Sequence, residues 1–219
     1  MSEINLEQAR FNMIEQQIRP WEVLDQQVLD ILSRVPREDF VPSRYRELAF
    51  ADTPIPLGHG QFMMNPNLEG RLLQALGLRP SDQILEIGTG SGYLAACLAH
   101  LGASVLSVDI FPEFTQGARQ KLDRHRIKNV RLQTGDAARD WNGKFYQVIA
   151  LTGSLPRLPD SWRRRLAIGG RLFVVVGEPP VMEARLVTRV GEQEWNEESL
   201  FETELPPLLN SDRSTVFEF

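Results

Sequence analysis

From residue 83 onward, short apolar runs alternate with helical segments, which predicts an α/β fold. The expected form is a doubly wound, mostly parallel, Rossmann-like sheet with N-terminal helices and an antiparallel C-terminal edge. Two further observations point the same way. Arg171 to Val176 contains the run Leu-Phe-Val-Val-Val, apolar at successive positions as a strand covered on both faces requires. Gly88, Gly90 and Gly92 cluster where the first such run gives way to a helix.

Each element follows from local pattern. Residues 1–55 read as amphipathic helices, with Leu6, Met13, Ile14 and Ile18, then Val28, Leu29, Ile31 and Leu32, at helical spacing. Pro20 stops the first helix; Asp25 is the expected N-cap of the second, which Pro36 ends. Thr53 to Gly60 (TPIPLGHG) is a rigid loop, and a helix follows from Asn67 to Leu76. Strands are expected at Ile84–Ile87, Ala103–Val108, Val130–Gln133, Gln147–Leu151 and Arg171–Val176. Helices are expected at Tyr93–His100, Phe114–His125 and Ser161–Leu166. After Gly177, Arg185–Val190 and Thr215–Phe219 look like the antiparallel edge, and no internal repeat interrupts the chain.

The chain has 219 residues, about 1.5 domains at roughly 150 residues each, so a single domain with an added segment is expected. The proposed division is 1–80 for the N-terminal helices and loop, 81–177 for the sheet core and 178–219 for the tail. Hydrophobic residues at 42% and charged residues at 24% exclude a disordered or fibrous chain. A net charge of −5 argues against broad binding to nucleic acid or an anionic membrane. One cysteine, Cys97, leaves no internal disulfide and no Cys-rich metal site, which suits a reducing, cytoplasmic setting. The first 13 residues lack a basic start and apolar run, so no signal peptide is expected, and no stretch nears the roughly 18 apolar residues of a membrane helix.

The strongest chemical signal is Glu86-Ile-Gly88-Thr89-Gly90-Ser91-Gly92-Tyr93. Glycines at a strand–helix turn let backbone approach a ligand at the carboxyl end of the sheet. The dinucleotide pattern G-x-G-x-x-G needs glycine at position 93, where this chain has Tyr93, so a nicotinamide dehydrogenase is a remote alternative. No Gly-Lys-Ser/Thr grips a triphosphate. Carboxylates recur at the neighbouring strand ends. Asp109 is placed to accept from both ribose hydroxyls, Asp136 (followed by Ala137) from an adenine amine, and Glu86 to favour a cationic methionine end. Glycine loops also serve helix packing, and strand-end aspartates also cap helices, but the combination suits S-adenosylmethionine, which carries a sulfonium and no phosphate.

Here the sequence resembles the protein-L-isoaspartate O-methyltransferase family. Val35-Pro-Arg-Glu-Asp-Phe-Val-Pro42 is similar to its Val-Pro-Arg-Glu-x-Phe-Val-Pro signature, and Ala49–Gly60 to the segment lining its substrate side. Leu85–Tyr93 matches the family's cofactor loop residue for residue. Gly135-Asp136, Val148–Thr152, Gly169–Leu172 with Val176-Gly177, and a closing strand at Glu204–Leu208 fall where later motifs belong. The resemblance implies a Rossmann-like methyltransferase and methyl transfer from S-adenosylmethionine to the free carboxylate of an isoaspartyl residue in a damaged protein. It implies a protein or peptide acceptor and places His59, Gln61, Thr152 and Ser154 on the acceptor side. A free carboxylate with a pKa of about 4 is ionised at neutral pH, so orientation alone can serve catalysis, and no metal is called for.

One departure stands out. Where the family runs Thr-Ile-Ser, this chain has Phe62-Met63-Met64, so a thioether replaces the active-site hydroxyl. Ser154 is the expected replacement donor. The alternatives are a relative that binds the cofactor but acts on another acceptor, or a binding and regulatory protein. His100 and His125 read as surface or helix-end residues and Cys97 as a buried packing residue. The basic cluster at 119–131 and Arg163–Arg165 read as solvated faces.

Overall fold

The computed structural model describes residues 5–138 and 144–211. The N-terminal segment begins with α1 (Leu6–Met13), capped by the Asn5 side chain, and continues through one π turn at Ile14–Ile18. Pro20 then sits in a 3-10 turn, Arg19–Trp21, that ends the run. The Asp25 carboxylate accepts from the Gln27 and Val28 amides to start α2 (Gln26–Arg34), which stops just ahead of Pro36.

Residues 53–60 are more ordered than a loop. They belong to a hairpin of β1 (Ile55–Gly58) and β2 (Gln61–Met63), joined by His59 and Gly60, both at positive φ. The glycines and prolines that hide this hairpin from a strand pattern are the residues its tight turn and edge position require. Next comes α3 (Pro66–Leu76), with Pro66 in its first turn and Gly77 in the left-handed C-terminal position.

The core is a seven-stranded sheet in the order β5-β4-β3-β6-β7-β8-β9. Its strands are β3 (Gln83–Ile87), β4 (Ser104–Asp109), β5 (Val130–Thr134), β6 (Tyr146–Leu151), β7 (Leu166–Glu178), β8 (Val181–Arg189) and β9 (Trp195–Glu202). Between them lie α4 (Tyr93–Leu101), α5 (Pro112–Arg124) and α6 (Asp160–Arg164). Pairing is parallel from β5 through β7 and antiparallel at β7–β8 and β8–β9. The chain steps outward from β3 to β5 and then returns to β6 beside β3. The crevice beyond the carboxyl ends of β3 and β6 is therefore the switch point of the sheet.

Several expectations are corrected. β7 starts earlier than Arg171, because Leu166 pairs with Tyr146 before a register shift. β9 was not anticipated: its Glu-rich pattern, with only intermediate burial at its best-covered positions, gives no apolar alternation. Glu204–Leu208 forms no strand of the sheet; it meets Ser154 through one isolated bridge at Pro207. The run Thr215–Phe219 lies outside the described residues.

Two apolar clusters cover the two sheet faces, one built with the N-terminal helices and α4, the other around Trp162, Leu166 and Leu172. The basic cluster is not simply solvated. Lys121 Nζ donates to the Phe40 carbonyl (2.7 Å) and the Ser91 carbonyl (3.1 Å), and burial lowers its pKa to about 8. Arg163 pairs with Asp160 and Glu197. Among the described residues no helix is long and apolar enough to cross a membrane.

Candidate active site

Two cavities meet above the switch point. The outer cleft, open to solvent, is bounded by Asp109, Phe111 and Phe114, by Gly135–Ala138, and by Leu205–Leu209. The inner cavity is bounded by Met64, Glu69, Glu86, Thr89, Ser91 and Leu94. Leu57, Phe62, Gly88, Gly90 and Thr152 line both, so they mark the junction.

The cofactor side is built largely from backbone. Gly88 has φ +98°, and a Cβ there would collide with Thr152 Oγ1. Thr152 in turn donates to the Ile87 (2.8 Å) and Gly88 (2.9 Å) carbonyls, binding the end of β6 to the glycine loop. Asp109 accepts from the Gly90 amide (2.9 Å) and the Phe111 amide (3.0 Å), which fixes its carboxylate at the cleft wall. Burial raises the Asp109 pKa, and the amides of Gly90, Phe111, Ile110 and Thr89 pull it back. Asp136 accepts from the Ala138 amide (3.0 Å) and from Asn210 Nδ2 (2.8 Å), while Ala137 packs into the wall beside it. Gly92 lines neither cavity: a Cβ would press on Ala118, so this glycine serves the close approach of α4 and α5.

Glu86 is fully buried under the glycine loop. Its Oε2 accepts from Ser107 Oγ, which also shares a 2.6 Å hydrogen bond with Thr89 Oγ1, and its Oε1 has no protein partner. Burial pushes its pKa up to about 8, against the Ser107 hydrogen bond. A buried, unpartnered carboxyl oxygen beside a cavity is the feature an ammonium group would satisfy.

The acceptor side is built from side chains. His59, at the hairpin tip, stacks on Phe111 with ring centroids 4.2 Å apart and lies edge-on to Phe114. It lines neither cavity, so its role is to pin the hairpin over the cleft. Gln61 lines the outer cleft, and Met64 faces the inner cavity. Asp52 accepts from Asn65 (2.7 Å) and Asn67 (2.8 Å), bracing the start of α3 against the hairpin. Ser154 does not take the place of the absent hydroxyl. It is buried and donates to the Leu205 carbonyl (2.7 Å), because its backbone is already bridged to Pro206 and Leu208.

Two residues of this wall were not singled out from the sequence. Arg37, within the Val-Pro-Arg-Glu motif, is fully buried. It donates to the Ala49 carbonyl (2.8 Å) and the Met64 carbonyl (2.6 Å), pairs with Glu69, and lies 4.9 Å over the Tyr93 ring. Glu69 faces the inner cavity, and burial raises its pKa to about 7 while Arg37 pulls it down. The available signal was a glutamate on the apolar face of a helix, which demands a buried cationic partner.

Comparison with known proteins follows the same lines. The family model for Protein-L-isoaspartate(D-aspartate) O-methyltransferase (PCMT) matches residues 8–211. Protein-L-isoaspartate O-methyltransferase 2 of Marinobacter nauticus is 34% identical over 210 residues, covering 95% of this chain and 96% of the relative. Its counterpart in Pelobacter propionicus is 37% identical over 210 residues, covering 95% and 93%. In fold, the chain is similar to a Plasmodium falciparum chain assigned as a protein-L-isoaspartate O-methyltransferase and solved with S-adenosyl-L-homocysteine. That similarity has a TM-score of 0.79 at 18% identity and covers 94% of this chain and 99% of the other.

Proposed function

The chain belongs to the protein-L-isoaspartate O-methyltransferase family, and from that premise we propose that it methylates the free carboxylate of isoaspartyl residues in damaged proteins. One observation carries the reading: an outer cleft edged by Asp109 and Asp136 opens, through Gly88 and Thr152, into a cavity holding the unpartnered Glu86 oxygen. Those residues fit S-adenosylmethionine. Asp109 would accept from the ribose hydroxyls, Asp136 and Ala137 would border the adenine, and Glu86 with Thr89, Gly90 and Ser91 would hold the methionine end. When bound, the cofactor supplies an electrophilic methyl on sulfur.

The chain's own residues then act mainly by placement. The acceptor carboxylate is already ionised at neutral pH, so no side chain needs to remove a proton. The hairpin and Arg37 fix the wall against which the carboxylate oxygen is aligned with the methyl, an orientation effect that can account for much of the rate. A new carbon–oxygen bond forms as the sulfur–carbon bond breaks, leaving a methyl ester and S-adenosylhomocysteine. Residues 1–80 serve the acceptor and 81–177 the cofactor, with a cytoplasmic site of action and no nucleic-acid partner.

Methyl transfer to an isoaspartyl peptide but not to its aspartyl twin tests the proposal; labelling of neither, with cofactor binding intact, overturns it. A second reading, methylation of a different acceptor, is favoured by Met64 at the family's serine position and by Ser154 facing away from the cavities. An acceptor screen detecting S-adenosylhomocysteine release separates the two.

A further inference from the structure

The mouth of the cleft carries chemistry that the cofactor does not use. Phe62 lines both cavities, yet it remains 45% exposed. Its partner across the hairpin is Pro56, so the ring lies on a thin two-stranded edge and not in a core. Leu57 lines both cavities with it, and Leu208 and Leu209 line the outer cleft, with Leu209 also partly exposed. That wall is fixed in place: Leu208 donates its amide to the Ser154 carbonyl, and Asn210 donates to Asp136. Among the described residues no Arg, Lys or His lines either cavity, whereas Asp109, Asp136, Glu69 and Glu86 do. The site therefore disfavours an acidic neighbour of the acceptor group, while leaving a half-exposed apolar surface at Phe62.

We infer that Phe62, with Leu57 and Leu209 of the same cleft lining, forms an apolar subsite that selects acceptors bearing a large apolar side chain next to the methylated carboxylate. Phe62 is thus the specificity-determining residue of the acceptor side. The inference rests on the methyl-transfer reading above and adds the class of substrate. On that reading the methyl would be transferred where the two cavities join, and Phe62 borders that junction. A peptide that delivers a carboxylate there lays its adjoining residue against the ring. Covering a leucine in this way favours binding by an amount worth about tenfold or more.

The test uses synthetic isoaspartyl peptides that differ only in the residue after the isoaspartate, leucine or serine, at saturating S-adenosylmethionine. The expected result is a kcat/KM about tenfold higher for the leucine peptide, carried mainly by KM. Phe62→Ala brings that ratio close to one. Val181→Ala, which trims a still more exposed apolar residue away from both cavities, leaves the ratio unchanged. Equal kcat/KM for the two peptides with the unaltered protein, or a ratio that survives Phe62→Ala, overturns the subsite while leaving methyl transfer intact. Failure to methylate either peptide, in a protein that calorimetry shows to bind S-adenosylmethionine, overturns the methyl-transfer reading and the subsite with it.

Discussion

The two walls of the cleft are built from different materials. On the cofactor wall, amides and carbonyls do most of the positioning: Gly90 and Phe111 amides hold Asp109, and Thr152 fastens the glycine loop through two carbonyls. On the acceptor wall, side chains do it: Arg37 reaches Met64, Ala49 and Glu69, and His59 stacks on Phe111. A backbone wall changes only when the chain path changes. A side-chain wall can be altered one residue at a time, as Phe62 and Met64 show.

The sharpest way to break this contrast is at Arg37. Arg37→Ala leaves Glu69 buried without its cation, and a loss of about 3–5 kcal/mol of folding stability is expected in urea titrations. Arg37→Met combined with Glu69→Gln should restore much of it; no recovery would mean that the guanidinium acts through its carbonyl bonds instead. Asp109→Ala comes next, weakening cofactor binding by about 1–3 kcal/mol, or roughly 5- to 150-fold in Kd, in calorimetry. An unchanged Kd would place the ribose elsewhere.

The third prediction concerns proton linkage. Burial holds Glu86 at about 8, so near neutral pH its carboxyl is largely protonated, whereas pairing with an ammonium needs the anion. Cofactor binding should therefore release a proton and tighten as pH rises toward about 8, by a slope approaching tenfold per pH unit. Folding runs the other way. The folded state binds this proton more tightly than the unfolded chain, so the contribution of Glu86 to stability falls as pH rises from about 4.5 to about 8. Glu86→Gln should flatten both trends, with calorimetry in buffers of different ionisation enthalpy as the check. The smallest effect is expected for Met64→Ser, where one added neutral hydrogen bond should raise kcat on an isoaspartyl peptide roughly threefold. A decrease would show that the thioether itself contributes.

The same contrast explains what could be read from the sequence. The doubly wound sheet was legible because glycines, strand-end aspartates and apolar runs report backbone geometry, which depends on near neighbours. Gly92 shows the limit: it matches the motif, yet its task is to let α4 pack on α5. The acceptor wall was less legible because its contacts span long separations. Arg37 and Glu69 lie 32 residues apart, and nothing local ties one to the other. Ser154 was misjudged for a related reason, since the carbonyl that takes its hydroxyl lies 51 residues downstream. β9 was missed because an edge strand defended by glutamates has no apolar alternation to detect.

Residues Leu205–Leu209 line the cleft although every described strand of the sheet precedes them in the chain. The described strands can therefore pair before this wall of the cleft exists. A chain cut after Glu202 would retain every described strand and its glycine loop, but Ser154 would lose the carbonyl acceptors of both its hydroxyl and its amide. Closure of the cleft thus rests on a segment outside the described sheet, and a chain shortened ahead of Leu205 would keep its strand pairing while the site lost one wall.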